Sequence, residues 1–118
     1  MIATQSFNGR TLTEEPMELG EGPAYDPGSG ALFWFDILGK TLCELDVESG
    51  QLKKHALPFL GSVIAVVDAG RQMIASDQGL FLREAATGKL SPYATIEDKP
   101  ENRSNDGRMH PSGAMWIG

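Results

Sequence analysis

Two short polar stretches carry the residues best suited to chemistry. They span residues 21–27 and 102–111, and the second places amide, guanidinium and carboxylate groups within ten residues. In each stretch a polar residue, Glu21 or Asn105, stands six positions before a proline. Carboxylate and amide oxygens are ligands that hard divalent cations such as Ca²⁺ prefer. Glutamate and asparagine are also ordinary turn and edge residues, so residue type alone leaves both interpretations open.

The two stretches belong to a longer repeat. An apolar run that contains a tryptophan follows each of them, at residues 31–35 and 114–118. Glu21 and Asn105 are 84 residues apart, which is twice 42. The position 42 residues after Glu21 is Val63. If the repeat is structural, Glu21, Val63 and Asn105 are equivalent, and we expect two polar side chains near one axis with an apolar wall between them.

The runs between these stretches predict strands and no helix. They are short, rich in β-branched and aromatic residues, and closed by glycine or proline, which is typical of buried strands. The predicted strands after the first stretch are 32–37, 41–47, 51–57, 62–68, 72–77, 80–84 and 90–96. Four short strands in a unit of about forty residues are typical of a β-propeller blade. We therefore predict an all-β chain with two blades and the start of a third.

Propellers close into rings of 4–8 blades. We therefore expect residues 1–118 to be the N-terminal part of a single propeller domain, with a complete small β-sandwich as the structural alternative.

Composition narrows the possible partners. The 118 residues are 41% hydrophobic and 22% charged, as in soluble globular proteins. The net charge of −6 and the lack of a basic stripe argue against nucleic-acid binding.

Cys43 is the single cysteine, so neither an internal disulfide nor a cysteine-based metal site is expected. No apolar run reaches membrane-helix length, and we expect a cytoplasmic protein.

Both polar stretches resemble a known family. Residues 19–37, with their Leu-Gly-Glu-Gly-Pro start and Trp34, look like the first blade of the SMP-30/gluconolactonase family, which includes regucalcin. Residues 103–118 resemble the second hallmark of that family. The matching motifs are Arg103-x-Asn105-Asp106-Gly107, Pro111-x-Gly113 and Trp116-x-Gly118. The two motifs occur in the right order and spacing, and the resemblance covers nearly the whole chain.

The resemblance implies a six-bladed propeller that hydrolyses sugar lactones or other lactones with one divalent cation, Ca²⁺ or Zn²⁺, with Mn²⁺ and Mg²⁺ as further candidates. Glu21 matches the metal-binding glutamate, and Arg103 and Asn105 match the residues that contact the substrate. The other ligands and the general base lie in later blades of that family. We therefore expect no catalytic residue within residues 1–118, and no activity from these residues alone.

Two alternatives to a lactonase stay open. One is a calcium-binding regulatory protein of the regucalcin type, and the other is a non-catalytic propeller that serves as an interaction scaffold. For a lactonase, the expected partner is a small sugar lactone. The oligomeric state is left open. Asp106 and His110 are expected to be turn residues. The large aromatic residues Tyr25, Trp34 and Trp116 are expected in the core.

Overall fold

The computed structural model describes residues 2–118, and every regular element in them is a β-strand. The prediction of an all-β chain is confirmed. Among these residues no helix is long and apolar enough to span a membrane. The strands are β1 (Gly20–Asp26), β2 (Ala31–Asp36), β3 (Thr41–Asp46), β4 (Leu52–Ala56), β5 (Gly61–Asp68), β6 (Arg71–Ser76), β7 (Gly79–Glu84), β8 (Leu90–Ala94), β9 (Gly107–Met109) and β10 (Met115–Ile117).

The strands form three antiparallel sheets in the order of the chain. Strands β1 to β4 make the first sheet, β5 to β8 make the second, and β9 pairs with β10 in a third. Neighbours in sequence are neighbours in each sheet, which is the meander of a propeller blade and not the two-sheet arrangement of a closed sandwich. The predicted two blades and start of a third are confirmed.

The turns after β3 and β7 have the same geometry in the two blades. After β3, the Gly50 amide donates to the Asp46 carbonyl over 2.8 Å, and after β7 the Gly88 amide donates to the Glu84 carbonyl over the same distance. Both glycines have φ of +74°. Side-chain-bearing residues rarely adopt this conformation, so glycine at these two places lets each blade turn into its fourth strand.

The hydrophobic core lies between the first two sheets. Phe35 and Leu42 from the first sheet are fully buried, as are Ile37 just after β2 and Ile74 from the second sheet. The rings of Phe59 and Phe81 lie 4.5 Å apart between centroids, at a tilt of 40°. This shared layer fixes one sheet against the other, and with it the positions of β1 and β5.

Two of the three aromatic residues expected in the core are exposed, so that prediction is wrong for them. Tyr25 is 58% and Trp116 is 67% exposed, whereas Trp34 is half-buried. Trp116 lies in the two-stranded sheet, opposite Arg108, and no further sheet covers it among residues 2–118. Cys43 does lie in a strand, and burial raises the pKa of its thiol.

Candidate metal and substrate site

The first strands of the three sheets lie side by side near their beginnings. Gly22 of β1 packs so closely on β5 that a Cβ atom there would lie 2.3 Å from the Ser62 carbonyl oxygen. Gly107 of β9 packs on Val63 in the same way, because its Cβ would lie 3.0 Å from both Val63 methyl carbons. Val63 therefore packs against the start of the third sheet, and Ser62 beside it packs against the first.

Glu21 is the second residue of β1 and is half-buried. It lies opposite Phe35 of β2, and the register shifts between Glu21 and Ala24. Such a bulge bends a strand and re-aims the side chains beside it. The four ion pairs among residues 2–118 all involve other residues. Within residues 2–118 the Glu21 carboxylate is therefore part of no ion pair.

The segment that leads into Glu21 is held by Asp36. The Asp36 carboxylate accepts three backbone N–H groups, from Glu18 at 3.1 Å, Leu19 at 3.0 Å and Gly39 at 3.1 Å. Burial raises the pKa of this carboxyl, but the three donors together lower it more, and the resulting pKa lies below the usual value. Asp36 therefore ties the start of β1 to the turn after β2.

Arg103 and Asn105 lie together in the loop before β9, and both are exposed. Arg103 Nη1 donates to Asn105 Oδ1 over 3.0 Å and to the Ser104 carbonyl over 3.1 Å. A guanidinium has donors only, so the Asn105 side chain faces Arg103 with its oxygen and not with its NH₂ group. The Asn105 amide N–H donates to the Gly118 carbonyl over 2.7 Å.

The equivalence of Glu21 and Asn105 stays a prediction. Glu21 lies within β1, and Asn105 lies two residues before β9 begins at Gly107. The Asn105 N–H donates to the Gly118 carbonyl over 2.7 Å, so pairing with the segment after β10 extends to Asn105. Glu21 and Asn105 thus lie near the beginnings of the first and third sheets.

Asp106 and His110 have local roles, as predicted. Asp106 accepts the Gly107 N–H over 2.8 Å and pairs with Arg108 over 2.6 Å. His110 Nδ1 accepts the Ser112 N–H over 3.1 Å within the turn that joins β9 to β10.

The residue pair that sequence reasoning missed is Ser62 and Ser104. Their hydroxyl oxygens lie 2.6 Å apart in a buried contact between β5 and the loop that carries Arg103 and Asn105. The two serines are separated by 42 residues. The repeat length was therefore a signal for this pair, although serine is too common for spacing alone to single it out.

No group of three or more histidine, cysteine, aspartate or glutamate side chains that could hold a metal ion is present within residues 2–118. Glu21 offers a single carboxylate, and the described part of the chain does not form a complete metal site.

A family model described as the SMP-30/gluconolactonase/LRE-like region matches residues 19–118. A protein of Rhizobium meliloti (strain 1021), named as a candidate sugar lactone lactonase, is 62% identical over 112 residues, which are 95% of this chain and 38% of that protein. The 6-deoxy-6-sulfogluconolactonase of Pseudomonas putida is 29% identical over 113 residues, which are 92% of this chain and 38% of that protein.

One solved structure is similar in both fold and sequence. It is the crystal structure of a calcium-binding protein, regucalcin, from Agrobacterium tumefaciens strain C58. It has a TM-score of 0.92 and 59% sequence identity over 94% of this chain and 38% of that one. The chain thus spans 38% of the length of these relatives.

Proposed function

The chain belongs to the SMP-30/gluconolactonase/LRE-like family, and we propose that it supplies two blades and part of a third to a propeller that hydrolyses sugar lactones with a divalent cation. The observation that carries this proposal is the placement of three side chains. Glu21 lies at the start of the first sheet, and Arg103 and Asn105 lie just before the third. The names of the relatives from Rhizobium and Pseudomonas support a lactone as the substrate.

Glu21 is the proposed metal ligand of these residues. Its carboxylate is a hard oxygen donor, half-buried and outside the four ion pairs of the described chain, which fits a cation such as Ca²⁺. The calcium-binding regucalcin neighbour supports this choice, with Zn²⁺, Mn²⁺ and Mg²⁺ as alternatives. When bound, a divalent cation polarises a carbonyl oxygen and stabilises the negative charge that develops there.

Arg103 and Asn105 are the proposed substrate contacts. Both are exposed, and each offers N–H donors: the guanidinium of Arg103 and the NH₂ group that Arg103 leaves free on Asn105. A sugar lactone presents hydroxyl and carbonyl oxygens that accept such donors. The two residues would hold the hydroxyl oxygens of the lactone while water attacks the carbonyl carbon.

The general base is proposed to come from outside residues 2–118. The nearby acid and imidazole, Asp106 and His110, are engaged in local hydrogen bonds. We therefore expect residues 1–118 alone to hydrolyse no lactone.

The test joins this chain to a complete propeller. In the Rhizobium meliloti relative, this chain replaces the matched segment, which gives a protein called here the joined protein. We expect it to open five- and six-membered aldonolactones, to lose activity with a chelator, and to regain it with one of the four cations. The unmodified relative is the positive control, and residues 1–118 alone are the negative control. An active relative beside a metal-loaded joined protein that leaves every lactone intact would contradict the proposal.

A calcium-binding regulatory function is the second candidate, because the 59% identical neighbour is described as a calcium-binding protein. It predicts a different outcome of the same experiment. The joined protein would bind Ca²⁺ at Glu21 without turning over any lactone.

A further inference from the structure

We propose that Ser62 and Ser104 are positioning residues that set the distance between Glu21 and the Arg103–Asn105 pair. This inference rests on the proposed function, because it concerns the geometry of the same site. Neither serine is proposed to touch the substrate or the cation.

The two hydroxyl groups form an isolated buried contact. Ser62 is 0% and Ser104 is 8% exposed, and their oxygens lie 2.6 Å apart. A buried hydroxyl without a partner is costly, so each serine depends on the other. The bond joins β5 to a loop that lies 42 residues further along the chain.

Ser62 also contacts the strand that carries Glu21. Its carbonyl oxygen lies against Gly22, where a Cβ atom would stand only 2.3 Å away. The register of β5 shifts between Gly61 and Val63, so Ser62 occupies a bulge and is freed from regular pairing with β6. One residue thus touches β1 through its backbone and the substrate loop through its side chain.

Ser104 stands between the two proposed substrate contacts. Its side chain is buried while Arg103 and Asn105 on either side are exposed. Its carbonyl accepts a hydrogen bond from Arg103, and the next amide, of Asn105, bonds to the Gly118 carbonyl. The loop is therefore fixed to β5 on one side and to the residue after β10 on the other.

The chain offers a matched control for removing a hydroxyl. Ser76 is 1% exposed and lies in the same sheet as Ser62, and its hydroxyl donates to the Gly79 carbonyl over 2.9 Å. The same hydroxyl accepts the Gln78 N–H over 3.2 Å. Ser76→Ala therefore removes two hydrogen bonds in the hairpin turn between β6 and β7, and it tests the loss of a buried hydroxyl from this sheet away from the site. Any general loss of stability should be common to both variants.

The variants are compared in the joined protein by steady-state kinetics. We expect Ser62→Ala and Ser104→Ala to raise KM about tenfold while kcat changes less than about threefold. The double variant should be no worse than either single variant, because both remove the same bond. Ser104→Thr keeps the hydroxyl and should restore KM. Ser76→Ala should lower the melting temperature but leave KM within about twofold. Equal KM values for the Ser62, Ser104 and Ser76 variants would overturn the proposal.

A measurement without substrate separates this proposal from the function on which it rests. If the joined protein opens no lactone, the lactonase proposal fails, and amide hydrogen exchange decides the role of the serines. We expect the Asn105 N–H to exchange at least about tenfold faster in Ser62→Ala and Ser104→Ala than in the parent or Ser76→Ala. Identical exchange in all four proteins would contradict a positioning role.

Discussion

Arg103 decides which atoms Asn105 can offer to a ligand. The sequence identifies both residues through their motif, but it cannot show that the guanidinium bonds to the amide oxygen, because that contact depends on side-chain geometry. The same limit applies to the contact between Ser62 and Ser104. Residue types and spacing single out candidate side chains, while the structure shows which atoms of these side chains contact one another.

The donor role of Asn105 can be tested by Asn105→Asp in the joined protein. Aspartate keeps an oxygen for Arg103 but has no N–H group, so we expect KM for a lactone to rise about tenfold, as for the loss of one hydrogen bond. Asn105→Ala should raise KM to a similar degree. If the aspartate variant keeps the parent KM while the alanine variant does not, the ligand uses the oxygen of Asn105, which contradicts the orientation described above.

At the scale of strands, the sequence predicted most of the elements. The predicted strands 32–37 and 62–68 correspond to β2 (Ala31–Asp36) and β5 (Gly61–Asp68). Strand β1 was not predicted, because its glycines and Pro23 are typical of a turn. The bulges in β1 and β5 were not predicted from the strand pattern.

The close contact at Gly22 predicts an unusual cost for Gly22→Ala. Gly22 has φ of +64° and would place its Cβ 2.3 Å from Ser62. Gly50 is the matched control, because its φ is +74° but nothing lies within 4 Å of its Cβ position. We expect Gly50→Ala to cost about 1–2 kcal/mol from backbone strain alone, and Gly22→Ala to cost at least about twice as much. Thermal unfolding of the joined protein measures both, and equal losses would contradict the contact between β1 and β5.

The Asp36 clamp predicts a loss of stability in acid. Its pKa lies below the usual value in the folded protein, so the unfolded chain takes up the proton first as pH falls. The stabilisation is fully present above the unfolded pKa near 4 and disappears as pH falls through the lower folded pKa.

Asp36→Asn should therefore lower the melting temperature at neutral pH and flatten its decline between about pH 5 and pH 3. The matched variant is Asp77→Asn in the second sheet, where the carboxylate accepts the Leu60 N–H over 2.8 Å. Asparagine keeps one acceptor oxygen. That oxygen can keep the single bond of Asp77 but not all three bonds of Asp36, which involve both carboxylate oxygens, so the effect of Asp77→Asn should be smaller. Parallel melting curves for Asp36→Asn and the parent down to about pH 3 would contradict the clamp.

At the scale of the whole molecule, the blades bring distant residues to the beginnings of the first and third sheets. Strand β5 lies between them, with Ser62 against β1 and against the Arg103–Asn105 loop, and with Val63 against β9. The family and the propeller blades were predictable from two motifs and a repeat. The complete metal site was not, because within residues 2–118 the only proposed ligand is Glu21.

The most direct measurement is the metal dependence of lactone hydrolysis by the joined protein with and without Glu21→Gln. We expect the lactonase rate of the parent to saturate as the cation is added. Glu21→Gln should need at least about tenfold more cation to reach half of its maximal rate, because mutation of a residue that only hydrogen-bonds to a metal ligand already lowers metal affinity about tenfold. Glu48→Gln, in the exposed turn after β3, controls for loss of one negative charge and should match the parent. If Glu21→Gln and Glu48→Gln gave the same metal dependence as the parent, Glu21 would not be a metal ligand.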